Sequence, residues 1–389
     1  MPNITNPCHC CGAEDLYEFP EYGGMWRVTS DCKSFEPGGR LAVCNVCGAV
    51  QKPTDAKWQS EIEMIYREYS PYFQSSGIEQ AVFDPSHGKP RRRSTVILGR
   101  LHETHPIASS GRMIDVGCGN GVMLSAFADF RDGWDLYGHE LSDLHIEKLK
   151  TIPGFDGLYT GDLEDLPGHY HLITMIHALE HFPDPYEGLA QLKDKIDPEG
   201  CLFIEIPNAA VTPFDLMIAD HVSHFARQDL ARLLGRAGMG AKAIADDWVT
   251  KELSVVATPS GPVVDLPPSV EPAAARARVQ GQLDWINAVT SGAQEAARGP
   301  GKLGLFGTSV AAMWLHGQIA DMVDFFVDED PSRKGTTLFD RPVYTPSEVP
   351  DGGIVYLALI PPVAKAVAER LQRPLIEYRV PPNVESRSV

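Results

Sequence analysis

The segment MIDVGCGNG, residues 113 to 121, limits what this chain can fold into more than any other stretch. An apolar run ends at Asp115. Gly117, Gly119 and Gly121 then form a turn in which bare backbone can approach a neighbour, and the helix-forming GVMLSAFADF follows. A strand entering a helix through such a turn is half of a parallel βα unit. The spacing is GxGxG. Val122 stands where the dinucleotide fingerprint GxGxxG requires its third glycine, which argues against a nicotinamide dinucleotide.

Downstream, strand-like and helix-like runs alternate. DLYGHEL and HLITMIHAL read as strands, SDLHIEKLKTI as a second helix, LAQLKDKIDPEG as a helix with a Pro-Glu-Gly stop, CLFIEIPN as a strand, and LSVVATPS as the last strand. This alternation predicts an α/β sheet with helices on both faces over residues 111–258. The Pro-rich SGPVVDLPPSVEP opens a helical linker, 259–298. KLGLFGTSVAAMWLHG then begins a second, C-terminal Rossmann-like α/β domain, 299–389. On the N-terminal side, residues 53–110 read as a helical connector or lid around KWQSEIEMIYREYSPYF, broken by PSHGKPRRRS.

Six of the eight cysteines lie in the first fifty residues, a local concentration that points to a metal site rather than a chain-wide disulfide framework. Cys8 with Cys11, and Cys44 with Cys47, form two CxxC pairs, each followed by a glycine, and together they supply the tetrahedral thiolate set of structural Zn2+. Residues 1–52 therefore read as a zinc-binding module, too small to hold itself together without that staple. Cys10, Cys32 and His9 remain as competing ligands. The module has few basic residues, and the whole chain carries a net charge of −18, so no nucleic-acid partner is expected; Arg91 to Arg93 form the one basic run. The chain begins without a basic-then-apolar leader and has no apolar run near the roughly 20 residues of a membrane span. A cytoplasmic protein without a membrane partner is expected, as a monomer or weak homodimer.

The GxGxG turn favours the layout that holds the amino-acid part of S-adenosylmethionine. Glu140, at the end of the second strand, is placed to accept from both ribose hydroxyls, and Asp162 to accept from the adenine amino group, with Leu163 beside the ring. Asp115 and His177 complete the expected cofactor contacts. The GCGNG loop and the HALEHFPDP segment resemble those of class I S-adenosylmethionine-dependent methyltransferases. CHCCG with CNVCG, DVGCGNG with HALEHFPDP, and GKLGLFGTSVAAMWL with FFVDEDPSRKG and PVYTPSEVP follow the order of a three-part family that includes nucleotide-sugar C-methyltransferases of antibiotic-sugar biosynthesis. That resemblance implies a central methyltransferase sheet, an N-terminal zinc module, and a C-terminal domain that completes the substrate site.

Methyl transfer requires an aligned acceptor and a group to take its proton, and histidine does this near neutral pH. In HALEH, His177 and His181 would share a face of a helical turn, with His181 touching substrate and Glu180 either orienting one of them or capping the turn. The stretch IPNAAVTPFDLMIADHVSHF, residues 206 to 225, suits a loop over the acceptor, and Asn208 would donate to a substrate oxygen. In the resembled family the matching stretch carries a tyrosine, a glutamate-histidine pair and an aromatic-phenylalanine pair, with the histidine implicated as general base. His221 matches that histidine, Asp220 the glutamate, Ile218 the tyrosine, and His224 with Phe225 the aromatic pair. The tyrosine hydroxyl is thus missing here. Tyr66, Tyr69 and Tyr72, at three-residue spacing, would cover the cavity. Ser309, Arg333 and Lys334 would face the phosphates of a nucleotide sugar. The expected reaction is C-methylation of a nucleotide-linked keto-deoxy sugar with His221 as base. The competing readings are an O- or N-methyltransferase of secondary metabolism, or a non-catalytic binding protein that keeps the fold.

Overall fold

The computed structural model describes residues 7–69, 79, 81–84, 89–263 and 270–383. Its centre is a seven-stranded sheet. In chain order the strands are β1 (Gly111–Val116), β2 (Trp134–His139), β3 (Phe155–Tyr159), β4 (Tyr170–Ile176), β5 (Ile196–Pro207), β6 (Gly240–Ala245) and β7 (Glu252–Thr258). They lie in the order β3-β2-β1-β4-β5-β7-β6. The first five are parallel; β7 runs antiparallel to both β5 and β6. Buried runs such as Ile173 to Met175 and the apolar Leu202 to Ile204 place β4 and β5 in the middle, covered on both faces.

Helix α1 (Ala56–Arg67) starts at Asp55, whose carboxylate accepts the Trp58 amide at 2.8 Å. Helix α2 (Arg93–Thr104) packs Ile97, Leu98 and Leu101 into the same core as α3 (Val122–Phe130). The remaining central helices are α4 (Pro185–Lys193) and α5 (Arg227–Arg236). Two expectations fail here. SDLHIEKLKTI forms only the single turn Ile146–Leu149. The expected helix through LAQLKDKIDPEG stops at Lys193, because Ile196 is drawn into register with Tyr170 and the DPEG stretch becomes the start of β5. Sheet pairing overrides local helix preference there.

Helix α6 (Pro272–Ala297) leads to a six-stranded second sheet. Its strands are β8 (Leu303–Phe306), β9 (Phe325–Val327), β10 (Thr337–Leu338), β11 (Arg341–Tyr344), β12 (Ile354–Tyr356) and β13 (Glu377–Arg379), in the order β10-β11-β9-β8-β12-β13. All neighbours are parallel except β10 with β11. Helices α7 (Val310–Ile319) and α8 (Pro361–Leu371) complete this α/β unit.

The N-terminal segment is not a separate bead. Its small sheet, Leu16–Glu18, Ala42–Cys44 and Val50–Gln51, takes its fourth strand, Ser223–His224, from the loop after β5. Cys8, Cys10, Cys44 and Cys47 share a core with the central sheet and Leu230, while Tyr22, Val28 and Leu41 share another with Trp285, Trp314 and Phe326. The segment is wedged between the two larger units. Among the described residues no helix is long and apolar enough to cross a membrane.

Candidate active site

In the central sheet the chain leaves β1 toward β2 on one side and returns to β4 on the other. The carboxyl ends of β1 and β4 therefore open a crevice, the place where ligands enter such sheets. A cavity of about 2700 Å³ lies there. A pocket for one small ligand measures about 300–1,000 Å³, so this one has room for a cofactor and an acceptor together.

The glycine turn forms the floor of one half. Gly117 and Gly121 have φ of +74° and +84°, and a Cβ on Gly121 would lie 2.6 Å from the Leu149 side chain, so only glycine fits. Gly117 and Gly119 line the cavity, while Gly121 sits behind them as the N-cap of α3. Glu140 follows β2 and accepts the amides of Gly119 (2.9 Å) and Leu141 (2.8 Å), which fixes its carboxylate against the loop. Exposed Asp162 and buried Leu163 lie beyond β3 on the same wall. Asp115 is buried at the end of β1 and accepts the Thr174 hydroxyl at 2.5 Å; burial pushes its carboxyl up to about 7. These features fit an adenosyl ligand: a turn without side chains that lets the ligand approach the backbone, a fixed carboxylate for the diol, and an apolar contact for the ring.

The other half is lined by His181, His221, Asp215, Tyr66 and Tyr69. His181 belongs to the turn Leu179–His181. Its Nδ1 lies 2.9 Å from the Asp220 carbonyl oxygen and 3.0 Å from the Tyr66 hydroxyl. His221 packs edge-on against it, ring centroids 4.7 Å apart. The carboxylate of Asp215 accepts from His221 Nδ1 through one oxygen and from His224 Nδ1 through the other, each at 2.7 Å. With Nδ1 carrying its hydrogen to a carboxylate, the Nε2 of His221 keeps a lone pair. Burial alone would pull the His221 imidazole down, but the Asp215 hydrogen bond and charge, with Glu180 and Asp220, hold it above its ordinary value. Burial pushes the Asp215 carboxyl up, and its two histidines outweigh that, leaving it well below the carboxylate range.

Several expected placements differ from this geometry. Asp220 does not orient His221: its carboxylate accepts the amide (2.8 Å) and hydroxyl (2.5 Å) of Ser30. His224 is wholly buried away from the cavity, with burial pulling it down to about 4. Asn208 also lies off the cavity wall, where its side-chain oxygen accepts the Ala210 amide at 3.1 Å. His177 and His181 do not share a face. His177 sits at φ +51° and receives Arg93 Nη1 on its Nε2 at 2.6 Å, while His181 turns toward the loop. Tyr72 lies outside the described residues. Ser309 and Arg333 line the far end of the cavity; Lys334 points to solvent and pairs with Glu348 at 2.8 Å.

The sequence alone did not single out Asp215, Glu205 or Glu252; of the acids around His177 it pointed to Glu180 alone. Glu180 and Glu252 lie 3.3 and 3.7 Å from its ring nitrogens, and Glu205 lies 3.8 Å from Arg93. A sequence signal did exist for Asp215: it is an acid inside an apolar loop, six and nine residues ahead of two histidines. At the N-terminus, Cys8, Cys11, Cys44 and Cys47 place one sulfur each within 4.8 Å of the others. The closest approaches are 3.5 Å (Cys8 to Cys47) and 3.6 Å (Cys11 to Cys44). Tetrahedral zinc with bonds of about 2.3 Å separates sulfurs by about 3.8 Å, so the four thiols fit that ion.

Residues 89–240 match the family model described as a methyltransferase domain. The ubiquinone biosynthesis O-methyltransferase of Bordetella bronchiseptica is 30% identical over 33% of this chain and 54% of its own length. The mitochondrial ubiquinone biosynthesis O-methyltransferase of Schizosaccharomyces pombe is 26% identical over 29% of this chain and 45% of its own length. The chain thus spans about half the length of these relatives. A solved S-adenosylmethionine-dependent methyltransferase from Clostridium acetobutylicum superposes with a TM-score of 0.37 at 10% identity, covering 52% of this chain and 99% of that one. The strand order, the glycine turn with its fixed carboxylate, and the family match over residues 89–240 agree on a class I methyltransferase fold for the central unit.

Proposed function

We propose that the protein transfers a methyl group from S-adenosylmethionine to a hydroxyl oxygen of a small polar acceptor, with His221 taking the acceptor's proton. The observation that carries this reading is the Asp215–His221 pair, which faces the same cavity as the glycine turn. Gly117, Gly119, Glu140, Asp162 and Leu163 would hold the cofactor. Bound there, S-adenosylmethionine supplies an electrophilic methyl group on a sulfonium sulfur. Asp215 fixes the His221 ring and stabilises the imidazolium once Nε2 has taken the proton. His181, steadied through its Nδ1, and Tyr66 would bind and orient the acceptor. Oxygen is favoured as the acceptor atom by the similarity to O-methyltransferases. Cys8, Cys11, Cys44 and Cys47 would hold Zn2+ in a structural role.

A second reading, C-methylation beside the carbonyl of a nucleotide-linked keto-deoxy sugar, is favoured by one observation. Ser309 and Arg333 of the C-terminal unit line the same cavity, where a diphosphate would extend. In that case His221 takes an acidic C–H proton instead. Methyl-labelled cofactor offered with hydroxylated aromatic acceptors and with nucleotide keto-sugars separates the two. A product methylated on oxygen is expected; a new carbon–carbon bond would overturn the oxygen assignment, and no labelled product with any acceptor, despite cofactor binding, would overturn the catalytic reading.

A further inference from the structure

We propose that Glu180, His181 and His221 form a binding site for one divalent transition-metal cation at the wall of the acceptor half of the cavity, distinct from the four-cysteine cluster. One donor atom from each of the three lies within 4.8 Å of the others. Both imidazoles are held through Nδ1. Asp215 accepts from His221 Nδ1, and the Asp220 carbonyl, which can only accept, takes the hydrogen of His181 Nδ1. Each ring is thereby fixed in the tautomer that leaves Nε2 basic, the arrangement that outer partners impose on metal-ligating histidines. The third member is an anion in need of compensation. Glu180 is 1% exposed, and among the described residues neither of its carboxylate oxygens receives a hydrogen bond. His177 Nδ1 lies 3.3 Å from one of these oxygens.

Two imidazoles and one carboxylate, with the remaining directions open to a cavity, suit zinc, cobalt, nickel or iron(II) rather than magnesium or calcium. Bonds of about 2.0–2.2 Å allow two ligand atoms to lie at most about 4.4 Å apart. The cluster therefore closes on an ion by movements on the ångström scale. Such a cation and the acceptor's proton would compete for the same His221 lone pair, so the cation-loaded form cannot use His221 as a base. This consequence rests on the proposed role of His221; the site itself does not.

The test is a Co2+ titration of the full chain with zinc in the cysteine site, followed by visible absorption. One further equivalent is expected, with d–d bands but no thiolate-to-cobalt charge transfer. Glu180→Gln and His181→Ala should weaken it at least about 10-fold, the least that loss of a supporting group at a metal site carries. Unchanged heat of S-adenosylmethionine binding shows that the variants are folded. Should either variant not fold, Cu2+ added to the unaltered protein should give electron-spin hyperfine structure from two imidazole nitrogens. No further equivalent of Co2+, the same affinity in both folded variants, or a Cu2+ signal without nitrogen coupling would each overturn the site. Loss of methyl transfer on Co2+ loading is the expected companion result; turnover unchanged at full loading would overturn the role of His221 and leave the site standing.

Discussion

The two halves of the cavity are built in different ways. The cofactor half is local: residues 115 to 163, from three adjacent strands, supply its turn, its fixed carboxylate and its apolar wall. The acceptor half is assembled from a distance. Its loop, 213 to 224, also packs Phe214 on Trp285 and Trp314 and donates the Val222 amide to the Glu180 carbonyl, but the N-terminal segment supplies several of its hydrogen bonds. The Ala219 amide donates to the Val28 carbonyl (2.7 Å), Tyr22 hydroxyl to the Leu216 carbonyl (2.7 Å), and the Lys52 amide to the Val222 carbonyl (2.8 Å). His9 Nδ1 and Ser223 Oγ lie 2.7 Å apart, and the His9 amide donates to Gln51, which pairs with Ser223 across the small sheet. His9 also lies between Cys8 and Cys10. The cysteine cluster is thus two residue contacts from the loop that carries His221. Cofactor binding should survive damage to the N-terminal segment, and acceptor chemistry should not.

The largest expected effect sharpens that contrast. His221→Ala should lower methyl transfer by about 10²–10⁴-fold, the range of a lost general base, while calorimetry finds cofactor affinity little changed. A comparable loss of affinity would show that the two halves are not separable. Asp215→Ala removes the carboxylate between two buried histidines and should cost about 3–5 kcal/mol in denaturant unfolding. The gentler Asp215→Asn tests the electrostatics. Only the neutral imidazole accepts a proton, so activity should rise with pH through a His221 value above the ordinary one. Without the Asp215 charge that value falls, and the acid limb of the kcat/KM profile should move to lower pH. An unmoved limb would remove His221 from the titration.

In the cofactor half, Glu140→Gln replaces a charged acceptor with a neutral one, a change of about 1.5–3 kcal/mol, and should weaken cofactor binding by about 10–100-fold. Acceptor-site geometry should stay intact. The smallest effect belongs to the seam: Ser223→Ala should cost about 1 kcal/mol of stability, the ordinary worth of one hydrogen bond, with a rise in acceptor KM larger than any change in cofactor Kd.

The same contrast decides what could be read from the chain before its fold. The glycine turn, Glu140 and the CxxC pairs were legible because their chemistry lies in short spacings. Most elements from 111 to 258 followed from periodicity, but the strand Gly240–Ala245 did not. The single turn at Ile146–Leu149 and the early start of β5 were not legible, because they depend on pairing with distant residues. Asp220 stood in the place of the glutamate in the resembled family's acid–histidine pair. The fold instead turns it to Ser30 and brings Asp215 back across the loop. His224 resembled a contact residue, yet its pairing with Val50 buries it in the small sheet.

The most direct measurement is made on the full chain before and after a chelator strips the four-cysteine site: the heat of S-adenosylmethionine binding beside the rate of methyl transfer. Near-native heat with transfer largely lost is the expected pair. Transfer retained in the stripped protein, or heat lost together with transfer, would contradict a self-contained cofactor half joined to an acceptor half that the N-terminal segment holds in place.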